Sequence, residues 1–189
     1  MKCNGQDIPA NPTYTIHFLA SAGGGWAGPH GAGICVYGGS FPVRVFGHEL
    51  THSIANPLPG IFGEGWAIVV GQKVGEALGG GADARAEYDS ITRRLDAVDP
   101  RRNVLDLMQA DKWPSNLDYQ HKAVWLLLEC EKRYGRDFMA RVLQLRDQQY
   151  GVRKPVNLGQ LFRLFAQTSK DPKFYDWLKS LGISAPAAP

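Results

Sequence analysis

No apolar run in the 189-residue chain approaches the ~18 residues a membrane-spanning helix requires, which excludes a helical membrane span. No run of Lys or Arg exceeds two residues, and the net charge is only +3. The chain therefore offers no basic patch for nucleic acid or for an anionic membrane surface. Cysteine is scarce: Cys3, Cys35 and Cys130 are widely spaced and form no CxxC, so a cysteine zinc ribbon and a thioredoxin-type motif are excluded. The odd count leaves at least one free thiol and room for one disulfide. Cys35 and Cys130 lie in apolar stretches and read as buried thiols. The opening "MKCNGQDIPANP" has no apolar segment of the signal-peptide kind. Two localisations stay open, cytoplasmic, or exported and extracellular with the signal already removed. Oligomeric state leaves no trace in the sequence.

What is present is ordinary for a globular chain: 44% hydrophobic, 21% charged and 11% aromatic residues. That length and composition suit one packed domain rather than two. Residues 1–40 read as a lobe of short strands and Gly-rich turns. "TYTIHFLAS" (13–21) and "AGICVYGG" (32–39) are the strand candidates, with "AGGGWAGPHG" between them as loop. Residues 41–78 read as two helices. Ser40 and Pro42 suit the start of the first, whose Val43, Phe46, Leu50 and Ile54 recur at spacings of three and four as one apolar stripe. Asn56-Pro57 ends it, and after "NPLPGIFG" a second helix, apolar on most faces, is expected from about Glu64 to Leu78. Residues 79–182 read as a helical lobe, built from "ADARAEYDSITRRLDAV", "LDYQHKAVWLLLECEKRY", "RDFMARVLQLRDQQY", "NLGQLFRLFAQTS" and "DPKFYDWLKSLG". Asp or Asn stands near the cap position of each of the last three. Residues 183–189 are a Pro/Ala tail. The expected class is α+β, a small β-containing N-terminal lobe packed on an active-site helix and a mainly helical C-terminal lobe.

Within "RVFGHELTHSIANPLPGIFGEGWAIVV" (44–70), His48 and His52 stand four apart. On a helix that spacing places both imidazoles on one face, able to reach a single ion ~2.0–2.1 Å from each nitrogen. Glu49 is rotated ~100° from His48, off that face but within reach of a water on the ion. This is the HExxH pattern, in which the acid serves as general base. With five His in the chain, a shuffled sequence would show it on the order of once in several hundred tries, so coincidence is a poor account. A catalytic zinc takes three protein ligands and keeps one position open. Glu64, twelve residues beyond His52 and past a chain reversal, is the leading third ligand. It could equally be an acid at a helix N-terminus. His17, His30 and His121 have no spacing that recommends them, and Leu58 stands where a metzincin would carry its third His.

The stretch from Phe46 to Ala67 resembles the active-site core of the gluzincin metallopeptidases of the peptidase MA clan, in which HExxH on one helix is completed by a Glu on the next. "GEGWA" (63–67) is similar to the "EGxA" around that Glu, and "LDYQHKAVWLLLE" (117–129) is similar to the clan's "YEKGxxxLxxL". The resemblance implies a zincin-like fold, a bound Zn2+ on His48, His52 and Glu64, and cleavage of a peptide or protein substrate. It also implies that Glu49 is the base and Tyr119 the hydrogen-bond donor to the tetrahedral oxyanion. Thermolysin-like members carry an Asp four residues after the third ligand; here that position is Ile68. Orienting a zinc-bound His would then fall to a carbonyl, Asp83 or Asp118. "GAGICVYGG" lacks the acid with which the clan's aminopeptidases hold a free amine, which points to endopeptidase action. An edge strand at 32–39 is expected to hold an extended peptide by backbone pairing.

Two rivals belong to other classes. A metallopeptidase-like binding module would keep the zinc without turnover, although a purely structural ion has no use for Glu49. A structural zinc would need a fourth protein ligand, and no Cys or His is suitably spaced.

Overall fold

The computed structural model describes residues 2–3, 6–7, 15–19, 25–28, 31–35, 43–55, 58–78, 86, 89–90, 93, 117–152 and 154–183. Side chains are defined for most of these from 43 onward. In that part the chain is all helical, with six helices and no strand. They are α1 (Val43–Ala55), α2 (Ile61–Ala77), α3 (Leu117–Tyr134), α4 (Phe138–Tyr150), α5 (Leu158–Ser169) and α6 (Phe174–Ser180). Ala86, Asp89, Ser90 and Arg93 are also helical and all exposed, the spacing of a solvent-facing stripe.

The expected α+β, zincin-like class is therefore corrected to an all-helical body. The reason lies in where apolar surface is removed from water. Every described core residue falls between Leu58 and Ile183, on a helix, on a connection between helices or just after the last helix. A local strand signal says nothing about whether that strand meets the core. The extended stretches ahead of the body are short ladders: Lys2–Cys3 with Gln6–Asp7, and Thr15–Leu19, Gly25–Gly28 and Gly31–Cys35 in a set of three. Two further expectations fail there. Gly25–Gly28, read as loop, pairs antiparallel with Gly31–Cys35. Gly31–Cys35, expected to be an edge, is the middle member, paired with Thr15–Leu19 on its other side. Its backbone groups are taken, so it cannot receive a peptide by strand addition.

α2 is the centre of the body. It starts earlier than expected because Leu58–Gly60 make the reversal: Gly60 adopts φ 53°, a left-handed conformation that favours glycine. The amides of Phe62 and Gly63 then bond the Pro59 and Gly60 carbonyls. As its composition predicts, α2 is buried nearly all round, including Ile61, Phe62, Trp66, Val69 and Val70. α3 runs parallel to it, since Gly65 lies against Ala123 while Lys73, further along, pairs with Glu131 at 2.5 Å. Phe62 meets Phe162 and Phe165 of α5 edge-on, and Phe165 meets Phe138 of α4.

α5 begins as its sequence says: the Asn157 side chain accepts from the Gln160 amide, and the Gln160 side chain accepts from the Asn157 amide, a reciprocal capping box. Asp137, at the matching place before α4, makes no such cap and pairs instead with Arg141. Cys130 is a fully buried free thiol, its pKa pushed up by burial. Cys3 and Cys35 have side chains outside the described residues. Ile183, expected to open the tail, is 1% exposed and its amide bonds the Leu178 carbonyl, closing the core after α6. No helix among the described residues is long and apolar enough to cross a membrane.

α1 packs differently from its hydropathy pattern. Val43, Phe46 and Leu50 are only half-buried, the Ile54 side chain lies outside the described residues, and the buried positions are Gly47, Glu49 and Thr51. α1 lies antiparallel on α2 through small residues. A Cβ added at Gly47 would stand 3.0 Å from the Val74 Cβ, and one added at Gly71 would stand 2.6 Å from the Arg44 carbonyl oxygen. Thr51 keeps its hydroxyl satisfied in this contact by donating to the Gly47 carbonyl at 2.7 Å. The face of α1 that carries the histidines is thus turned toward α2 rather than away from the protein.

Candidate metal centre

His48 and His52 project from α1 one turn apart, as the i, i+4 spacing requires. Antiparallel packing sets the last turns of α1 beside the first turn of α2, which carries Glu64. The three side chains converge. The two Nε2 atoms lie 3.1 Å apart, His48 Nε2 is 3.5 Å from Glu64 Oε2, and His52 Nε2 is 3.4 Å from Glu64 Oε1. The rings meet edge to face at 79°.

These separations discriminate between two explanations. A hydrogen bond from an imidazolium to a carboxylate would be ~2.7–2.9 Å long, and both nitrogen–oxygen distances exceed that. Ligand atoms ~2.0–2.2 Å from one tetrahedral ion lie ~3.3–3.5 Å from each other, close to what is seen. Two imidazole nitrogens facing one another at 3.1 Å also oppose their lone pairs unless a proton or a cation lies between. His48, His52 and Glu64 therefore form a group that could hold a metal ion, and among the described residues it is the one such group. Each member is 20–31% exposed, so the group is open on one side.

The electrostatics agree with a cation site. Polar contact from His48, then from His52, holds the Glu64 carboxyl well below the usual carboxylate range, with burial acting the other way. Glu64 is thus an anion ready to ligate. Glu49, the residue after His48, is 7% exposed. Burial raises its pKa, opposed by His48 and His52 and assisted by Glu64. A cation at the triad would add a strong opposing field.

The remaining candidates divide clearly. Tyr119 and Asp118 lie in the first turn of α3, but their side chains are outside the described residues, as is Asp83. His17 lies in a strand without a described side chain, and His30 is outside the described residues. His121 is buried on α3 and does not join the metal group. Ile68 is half-buried against the core. A separate hollow on another face of α2, lined by Gln72, Lys73, Glu131 and Arg136 among others, holds the Lys73–Glu131 pair and contributes nothing to the triad.

Sequence reasoning missed the small-residue contact between α1 and α2. Its signal was available in Gly47 and Gly71, glycines inside two adjoining helices where glycine costs ~1 kcal/mol against Ala. Compared with protein-family models, curated proteins and solved structures, the chain matches none.

Proposed function

We propose that the protein is a zinc-dependent peptidase of gluzincin type, acting on internal bonds of a peptide or protein substrate. The observation that carries this is the convergence of His48, His52 and Glu64 at ligand-to-ligand distances, 3.1–3.5 Å, with Glu49 next to them in sequence. Two imidazoles and one carboxylate on an open site match a catalytic donor set for zinc; a structural site would be closed by a fourth ligand.

When bound, zinc supplies Lewis-acid chemistry, bringing the pKa of a coordinated water toward ~7 and polarising the scissile carbonyl. The chain's own residues do the rest. Glu49 takes a proton from the attacking water and returns it to the leaving nitrogen as the peptide bond breaks. Its burial keeps bulk water from competing for that proton. The Glu64 carboxylate, anionic in this setting, balances the charge of the ion. Tyr119 is assigned the oxyanion contact on the strength of its place in "LDYQHKAVWLLLE".

Removal of the ion provides the test. Dialysis against a strong chelator should abolish cleavage of an unstructured protein substrate such as casein, and one equivalent of Zn2+ should restore it. Mg2+ and Ca2+ should not, because hard cations prefer all-oxygen sites. Cleavage that survives complete metal removal would refute the proposal. Stoichiometric zinc with no turnover on any peptide mixture would favour the metal-retaining binding module.

A further inference from the structure

Gly71 lies two helical turns beyond Glu64 on the same face of α2, directly opposite His48. A Cβ there would stand 2.6 Å from the Arg44 carbonyl oxygen and 3.3 Å from both the backbone nitrogen and the Cβ of His48. The first distance is one that real Cβ atoms essentially never show, and the obstructing atom is backbone, so no side-chain rotation relieves it. A Cβ added at Gly47, on the α1 side, would stand 3.0–3.2 Å from Val74 and the Gly71 Cα. Helix axes pack 8–10 Å apart depending on the side chains at the contact, and glycine on both helices permits the near end of that range.

The metal group depends on that approach. His48 and His52 belong to α1 and Glu64 to α2, so every histidine–carboxylate distance in the triad is set by how the two helices sit. Ligands tolerate only a few tenths of an ångström of error in distance. A methyl at Gly71 must lift α1 from α2 by more than that, at the very position from which His48 projects.

We propose that Gly71 is a positioning residue of the metal centre: the absence of a side chain there holds α1 close enough to α2 for His48, His52 and Glu64 to share one ion. This rests on the metal-centre reading. It extends it by placing part of the site's precision at a residue that supplies no ligand atom and carries no chemistry.

The same helix face supplies the control. Gly75, one turn further along, has room: an added Cβ would meet only the Arg44 Cβ, at an ordinary 3.8 Å. Gly71→Ala and Gly75→Ala therefore make the same chemical change in the same helix with opposite consequences. Zn2+ affinity is measured by competition with a chromophoric chelator on the folded chain, together with the visible spectrum of the Co2+-substituted protein. Gly71→Ala is expected to weaken binding roughly 10–100-fold, as changes to groups outside the ligand shell do, and to alter the tetrahedral Co2+ bands. Gly75→Ala is expected to bind within about twofold of the parent and to gain slightly in stability through helix propensity. Leu143→Ala, in the core of α4 and 0% exposed, is expected to lower stability without changing affinity or spectrum, which separates positioning from general destabilisation.

If Gly71→Ala does not fold, Gly47→Ala decides the matter, since its added methyl would stand 3.0 Å from the Val74 Cβ and 3.2 Å from the Gly71 Cα. Weakened binding with altered Co2+ bands in Gly47→Ala would support the proposal, and unchanged binding would overturn it. Equal affinity in Gly71→Ala and the parent would overturn it as well, as would an equal loss in Gly75→Ala. A parent chain that binds no ion would overturn the metal-centre reading and this inference together.

Discussion

Glu49→Gln is expected to reduce peptide hydrolysis by about 10²–10⁴-fold, the usual contribution of a positioned acid–base group, while the chain keeps its zinc. The amide is close in shape to the carboxylate, so packing at a position that is 7% exposed is little disturbed. It cannot accept a proton from water at neutral pH. The ligands themselves are untouched, because Glu49 is not among the three side chains that converge. Parallel assays of metal content and turnover separate the two roles. Turnover within threefold of the parent would remove Glu49 as base. Loss of zinc along with activity would move it into the ligand set.

Phe62→Ala is expected to lower folding stability by about 3–5 kcal/mol, the range for deleting a buried aromatic ring. Phe62 is 0% exposed and its ring centroid lies 5.9 Å from that of Phe162 and 6.2 Å from that of Phe165. Truncation would open a cavity walled by two rings fixed on α5, and α5 is held by its own cap, so the walls have little freedom to collapse. Against a typical total of ~5–15 kcal/mol the loss is large. Urea denaturation should show a lower midpoint with an unchanged slope. The exposed Leu78, 69% accessible, provides the contrast: Leu78→Ala should change stability by no more than about 0.5 kcal/mol. A Phe62→Ala loss below 1 kcal/mol would mean that the aromatic core does not join α2 to α5. Phe62 stands two residues before Glu64, so the same core also fixes where the carboxylate is presented.

What the sequence made legible follows from the range of each signal. His48, His52 and Glu49 are related by a single helical turn, and i, i+4 geometry is the same in every helix, so their common placement could be read directly. Glu64 needed one more step, a reversal short enough to bring the next helix back; Pro57, Pro59 and Gly60 advertised it. The burial of α2 on nearly every face followed from its near-continuous apolar composition, and the start of α5 from an Asn at the cap position.

The failures share a cause: they depend on partners far away in the chain. "TYTIHFLAS" and "AGICVYGG" carry local strand signals, but locality cannot say whether a strand reaches the core, and the described core is supplied by the helices and the segments that flank them. Gly31–Cys35 could not be known to lie in the middle of its ladder, because its second partner, Gly25–Gly28, is half glycine and reads as a turn. The stripe Val43, Phe46, Leu50 and Ile54 gave no sign of the close contact that α1 makes with α2. Hydropathy ranks side chains, whereas α1 meets α2 through Gly47 and Thr51, where the contact is close because side chains are small or absent. Asp137 shows the limit of cap rules, since its carboxylate is drawn to Arg141 instead of the helix amides.

The central claim is that three side chains from two helices hold one zinc ion, and elemental analysis of the purified chain tests it most directly. After dialysis against a weak chelator, the parent should retain one zinc per chain, and Glu64→Ala should lose it while remaining folded. A parent chain without metal would contradict the account. So would a Glu64→Ala variant that binds zinc as tightly as the parent, which would leave Glu64 as no more than an acid in the first turn of α2.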